Sequence, residues 1–219
     1  RDAHRRTICV STQVGCSLGC AFCRTGRIKF RRNLTPGEIL DQFILISRQT
    51  EPDESLTNLV FMGMGEPLLN YDNVVQAIQT MESDHGLCFS GNRMTLSTAG
   101  ILPRLKQLAD ENLNINLAIS LNAPDPETRN RLMPVNQKYP MEELIQAVSD
   151  FPVPHRRRVT FEYILIKGIT DRIEHAEKLA HLLKPFRCKV NLIAYNPTEN
   201  PELAPPDPSQ IAAFEAHLW

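Results

Sequence analysis

Two apolar rhythms alternate along the 219 residues of this chain. Short runs rich in β-branched and aliphatic residues stand at 7–11, 58–62, 94–97, 115–121, 159–166 and 190–195, a strand-like composition. Between them apolar positions recur every three or four residues, the period of a helix. The segment opened by Thr35-Pro36-Gly37-Glu38 carries Leu40, Phe43, Ile44 and Ile46, and the segment 71–83 carries Val74, Val75, Ile78 and Met81. Further helices are predicted over 102–111, 126–132, 141–150, from 171 onward, and over 208–218. Thr35 suits an N-cap, Pro36 the first helical position, and Glu38 completes a capping box.

The result is six β/α units, and strict alternation implies a parallel sheet with right-handed crossovers. Such a sheet is either open and doubly wound or curled into an incomplete barrel. Candidate polar residues separate the two, because they follow four different strands: Gly65 and Glu66, Ser97, Ser120 with Asn122, and Asn196. Barrels gather active-site residues from many strand ends, whereas open sheets do so mainly at one switch point. The expected fold class is therefore α/β, a partial (β/α)6 TIM-type barrel, with residues 1–219 as one domain. The proline-rich stretch 196–208 reads as a stiff surface loop.

Composition narrows the class further. Apolar residues make up 42% without glycine, which excludes disorder for the bulk of the chain. No run approaches the roughly 18 consecutive apolar residues of a membrane helix. The start, Arg1-Asp2-Ala3-His4-Arg5-Arg6, lacks the apolar stretch of a secretory signal, so a cytoplasmic protein is expected. Net charge is −1, yet residues 1–32 hold eight Lys or Arg against the single acid Asp2. A basic face for a polyanion accounts for that asymmetry, and a solvated surface with counter-charges nearby in the fold accounts for it equally. His155-Arg156-Arg157-Arg158 is a second basic stretch.

Cysteine placement points to metal. Cys9, Cys16, Cys20 and Cys23 lie within fifteen residues, while Cys88 and Cys188 are remote and read as ordinary small buried residues. A cytoplasmic domain of this size does not need disulfides, and a tight cluster more often ligates metal or does redox chemistry. Cys16-Ser17-Leu18-Gly19-Cys20-Ala21-Phe22-Cys23 is a Cx3Cx2C run. Zinc sites usually pair CxxC with a second pair or with histidines downstream, and none follows here at zinc spacing. Three thiolates on one short loop suit three irons of a [4Fe–4S] cube and leave the fourth iron open.

Cx3Cx2C after the first strand, with Gly65-Glu66-Pro67 after the second, resembles the radical S-adenosylmethionine (radical SAM) superfamily. Within it, five segments resemble the RlmN/Cfr-type RNA adenine methyltransferases: the runs beginning at Cys9, Phe61, Leu96, Ala118 and Asn191. The resemblance implies a [4Fe–4S] cluster on Cys16, Cys20 and Cys23, with S-adenosylmethionine on the open iron. It implies that Gly65 and Glu66 line the methionyl end of that cofactor. It also implies that Ser97, Ser120, Leu121, Asn122 and Asn196 contact the cofactor, although Asn122 stands where relatives commonly carry histidine. Gly65 is then a glycine because a side chain would block the ligand's approach to the backbone.

The same resemblance implies an activity: methylation of C2 of adenine in 23S ribosomal RNA, with tRNA as a second substrate, through a methyl-cysteine intermediate. Cys9 would be the catalytic thiol that releases the RNA adduct by forming a disulfide with a C-terminal cysteine. That second cysteine and an upstream glutamate of relatives have no match here, so the chain is expected to be the core of a longer protein. A flavodoxin-type electron donor and a monomeric state are expected as well. Other readings are a C8-methylating relative, a radical SAM enzyme with a small substrate, and a non-catalytic RNA-binding domain holding zinc.

Overall fold

A computed structural model of the chain describes residues 5–51, 55–198 and 200–218, so Arg1 and Asp2 of the basic N-terminal stretch lie outside the described residues. The chain enters through β1 (Thr7–Cys9), turns into a small antiparallel pair, β2 (Gln13–Val14) and β3 (Arg32–Asn33), and then alternates β4 (Asn58–Phe61), β5 (Met94–Thr98), β6 (Asn116–Ser120), β7 (Val159–Leu165) and β8 (Cys188–Ala194) with helices. Strands β1, β4, β5, β6, β7 and β8 form one sheet in that order, every pairing parallel. Among the described residues β1 and β8 do not pair with each other, so the sheet is a curled half-barrel.

The helices are α1 (Pro36–Ser47), α2 (Tyr71–Glu82), α3 (Leu102–Asp110), α4 (Pro126–Leu132), α5 (Val135–Lys138), α6 (Met141–Ser149), α7 (Ile173–Leu183) and α8 (Pro208–Ala216). The capping box at α1 forms as the sequence predicts: Thr35 accepts the Glu38 backbone N–H, and the Glu38 carboxylate accepts the Thr35 N–H. Buried faces follow the helical period, with Val74, Val75, Ile78 and Met81 of α2 packed on the sheet. Burying each such side chain stabilises by roughly 1.5–3 kcal/mol. Register pairs Leu59 with Met94, Leu96 with Leu117 and Ile119 with Phe161, all buried, as apolar contacts across the sheet.

Two local expectations need correction. The first strand ends at Cys9, before Ser11, because the Ser11 N–H turns to the Gln42 side chain at 2.8 Å and the chain bends into β2. Cys88 is exposed in the turn after α2, at φ +50, with its sulfur against the Ser83 and Asp84 carbonyls. Cys188 is half-buried where β8 begins.

Candidate active site

The β2–β3 pair is a clamp that fixes the ends of the cysteine loop, 15–31, over the C-terminal ends of the parallel strands. Inside it, turns tighten the backbone: Cys23 N–H donates to the Cys20 carbonyl and Gly26 N–H to the Cys23 carbonyl, both at 3.1 Å. Ala21 N–H reaches the Leu132 carbonyl of α4 at 2.9 Å and ties the loop to the helix layer. Cys16, Cys20 and Cys23 thereby line one cavity of about 250 Å³. Gly65, Glu66, Ser97, Ser120 and Asn122 line the same cavity, so the structure brings eight of the predicted residues together.

Burial dominates the electrostatics of the thiols. It pushes the Cys20 thiol up to about 12, with the neighbouring Cys23 and Cys16 raising it further, and it also raises Cys16. Three thiolates become stable together only against positive charge, which is what a metal centre supplies. Among the described residues no three His, Cys, Asp or Glu side chains converge on a point that would hold one ion. Zinc requires its ligands about 2.0–2.3 Å from one centre. A cube gives each thiolate its own iron. Three thiols of one loop lining one cavity fit the donor set of such a cluster.

Glu66 is buried with both oxygens engaged. Oε1 accepts the Leu68 N–H at 3.0 Å and the Thr98 hydroxyl at 2.7 Å, and Oε2 accepts the Ala99 N–H at 2.8 Å. Its side chain therefore braces the end of β4 against the end of β5. Further along the mouth the Ser97 and Ser120 hydroxyls lie 3.4 Å apart. Asn122 adopts φ +59, a conformation asparagine tolerates better than most residues, and its N–H donates to the Glu162 carbonyl.

Glu162 of β7 was not singled out by the sequence, yet it is buried and lines this cavity. Asn191 Nδ2 donates to its Oε2 at 2.6 Å, and burial raises its pKa. The available signal was an acidic residue inside an otherwise apolar strand.

Three predicted residues stand apart. Leu121 is fully buried and contributes its backbone, donating to the Ile119 and Glu162 carbonyls, rather than a wall of the cavity. Asn196 is exposed beyond β8 and does not line the cavity. Cys9 is exposed on edge strand β1 and lines a separate hollow of about 530 Å³ with Gln42, Leu45, Ile46 and Leu56 of the α1 side. Burial of its inner side raises its pKa, and all six cysteines are free thiols, so no disulfide is present.

The basic stretches separate as well. Arg24, Arg27, Lys29 and Arg31 are exposed on the cysteine loop, with Ile28 and Phe30 exposed between them. His155 to Arg158 precede β7 and so lie at the opposite end of the strands from the cavity. Arg157 there braces the chain before β6, donating to the Asn114 and Ile115 carbonyls at 2.7 and 3.1 Å. These two basic stretches therefore face different ends of the sheet. A larger groove of about 740 Å³ runs between α7, α8 and β8, but its only cysteine is Cys188. Site chemistry belongs to the smaller cavity.

Comparison with known proteins bears on this geometry. The radical SAM superfamily pattern matches residues 10–183. The chain is similar to the dual-specificity RNA methyltransferase RlmN of Syntrophus aciditrophicus, 50% identical over 215 residues, covering 98% of this chain and 62% of that protein. The chain thus spans a little under two thirds of the length of such relatives. Among solved structures, a radical SAM methyltransferase from Sphaerobacter thermophilus superposes with TM-score 0.93 at 42% identity, covering 100% of this chain and 64% of that one. Streptococcus suis SuiB bound to S-adenosylmethionine superposes with TM-score 0.68 at 13% identity over 99% of this chain and 47% of that one, a likeness of fold alone.

Proposed function

The chain belongs to the radical SAM superfamily, whose members use a [4Fe–4S] cluster and S-adenosylmethionine, and from that premise we propose that it is the catalytic core of an RNA methyltransferase acting on C2 of adenine in 23S ribosomal RNA and in tRNA. The observation that carries this reading is the cavity in which three thiols of one loop face Gly65, Glu66, Ser97, Ser120 and Asn122. Bound there, the cluster and S-adenosylmethionine supply reductive cleavage of the sulfonium and a carbon-centred radical.

The chain's own residues do the rest. Cys16, Cys20 and Cys23 would hold three irons of the cluster, and Gly63 and Gly65 line the same cavity. Ser97, Ser120, Asn122 and Glu162 offer hydroxyl, amide and carboxylate groups to the polar parts of the cofactor, the kind of contact that orients without adding bulk. Arg24, Arg27, Lys29 and Arg31 supply positive charge to RNA phosphates, which positions RNA without specifying it. Phe30 gives an exposed aromatic face on which a splayed base stacks. The target adenine must leave its stack to reach the mouth. Cys9, exposed at the sheet edge, serves as the thiol that releases the adduct. The electron donor is of the flavodoxin type, and the protein acts as a cytoplasmic monomer through a methyl-cysteine intermediate.

The test is nucleoside analysis of 23S RNA fragments and tRNA after incubation with the longest natural polypeptide containing this sequence, cluster-loaded and reduced. The reading predicts 2-methyladenosine. Accumulation of 8-methyladenosine would replace it with the C8 reaction, and cofactor cleavage without any methylated adenine would remove RNA as the substrate.

A further inference from the structure

Arg129 is the one buried cation among the described residues, with no exposed surface. It stands on α4 behind the cavity wall. Its Nη2 donates to the Ala99 carbonyl at 2.8 Å and the Ser120 carbonyl at 3.2 Å, and Nη1 approaches Asn136 Oδ1 at 3.4 Å. All three acceptors are neutral, and its buried Nε has no partner. No carboxylate of a described residue forms an ion pair with it. A buried charge without a counter-charge is strongly disfavoured, so such groups are retained where an opposite charge faces them.

Cluster-bound thiolates would supply an opposite charge on the cavity side of that wall. Ala99 and Ser120, whose carbonyls Arg129 holds, line the cavity that Cys16, Cys20 and Cys23 line. The Ala21–Leu132 hydrogen bond fastens the residue after Cys20 to the last residue of α4, the helix that carries Arg129, and a thiolate at Cys20 would offset the lowering of the Arg129 pKa by burial.

We propose that Arg129 is the buried counter-charge of the thiolate-bound cluster and sets its reduction potential. This rests on the reading that Cys16, Cys20 and Cys23 hold a [4Fe–4S] cluster. Reduction adds one electron from an external low-potential reductant, breaks no bond and makes the centre more negative by one charge. A fixed cation in a water-poor site favours that state. Arg129 lies behind the wall, not in it, so it is a positioning residue that acts through the field.

The experiment is an anaerobic redox titration of the reconstituted protein with dithionite, followed by electron paramagnetic resonance, alongside iron and sulfide content. Arg129→Gln should retain the cluster while the oxidised-to-reduced ratio at the wild-type midpoint rises about tenfold, which is 59 mV lower for a one-electron couple. Asn136→Asp, nearly isosteric, places the missing carboxylate against the guanidinium and should lower the midpoint in the same direction. It decides the matter alone if Arg129→Gln does not fold. Arg129→Lys, which keeps the charge, should stay within about threefold of wild type in that ratio. A full cluster with an unchanged midpoint in Arg129→Gln or Asn136→Asp overturns the proposal, and so does a Lys variant shifted as far as Gln. Absence of iron and sulfide from the wild type would instead refute the cluster reading itself.

Discussion

Gly65 and Gln13 meet so closely that a Cβ on Gly65 would lie 2.5 Å from the Gln13 Cβ. Gly65 also holds φ +99, which disfavours every residue with a side chain. Gln13 belongs to the β2–β3 clamp, and its Oε1 accepts the Glu66 N–H at 2.9 Å. The glycine is therefore required first by the seat of the cysteine hairpin on the β4 loop. Approach of a ligand is a second reason, not the leading one. Gly65→Val should lower stability by about 2–4 kcal/mol from backbone strain and overpacking together. Iron content and cofactor affinity should fall in parallel. Loss of affinity alone, with normal melting and full iron, would restore the ligand-approach explanation.

The acid limb of stability should report the hairpin's other anchor. Arg32 of β3 donates from both Nη atoms to Glu38 at 2.8 Å, and with the Thr35 cap it holds the Glu38 carboxyl down to about 2. A carboxyl depressed in the folded state adds stability above its unfolded value, and that stability is lost as pH falls toward the folded one. Urea midpoints should therefore decline between the ordinary carboxylate range and about 2. Glu38→Gln should flatten part of that decline and cost little slope elsewhere. An identical acid limb in the variant would contradict the assignment.

Glu162 makes a prediction about cofactor affinity. With Asn191 holding one oxygen, the carboxylate is a ready acceptor for a hydroxyl or ammonium group in the cavity. Glu162→Gln should weaken S-adenosylmethionine binding about tenfold, near 1.4 kcal/mol by calorimetry, with the cluster intact. Burial raises this carboxyl, so wild-type affinity should climb with pH just above the ordinary carboxylate range while the variant stays flat. Equal affinities across that range would remove Glu162 from the binding set.

Cys9 separates catalytic from structural roles cleanly because it is exposed. Cys9→Ala should change stability by less than about 1 kcal/mol and leave iron content unchanged. In the longest natural polypeptide containing this sequence, a covalent protein–RNA adduct should accumulate, since no second thiolate displaces the product. Wild-type yields of methylated adenine without adduct on a denaturing gel would reject the role.

Much of this was legible in the residues, for identifiable reasons. The Thr35, Pro36 and Glu38 signals at α1 act over four residues and need no tertiary context. The six β/α units follow from apolar period, and the half-barrel follows from polar residues at several strand ends. What failed depends on contacts distant in sequence. Where β1 stops is set by Gln42, thirty-one residues on. Asn196 follows β8, whose Ile193 lines the cavity, but its own side chain is exposed beyond the lining. Where the two basic stretches lie relative to each other is set by the parallel topology, which charge composition does not carry. Glu162 was hidden because a single acid in a strand carries no motif, and its neighbour Asn191 sits on the adjacent strand.

The central claim is that three thiols of one loop hold a [4Fe–4S] cluster beside a cofactor cavity. Iron, zinc and acid-labile sulfide determined on anaerobically reconstituted protein test it most directly, with Cys20→Ala as the comparison. The account predicts about four irons and four sulfides per chain in the wild type and neither in the variant. Stoichiometric zinc without sulfide would contradict it.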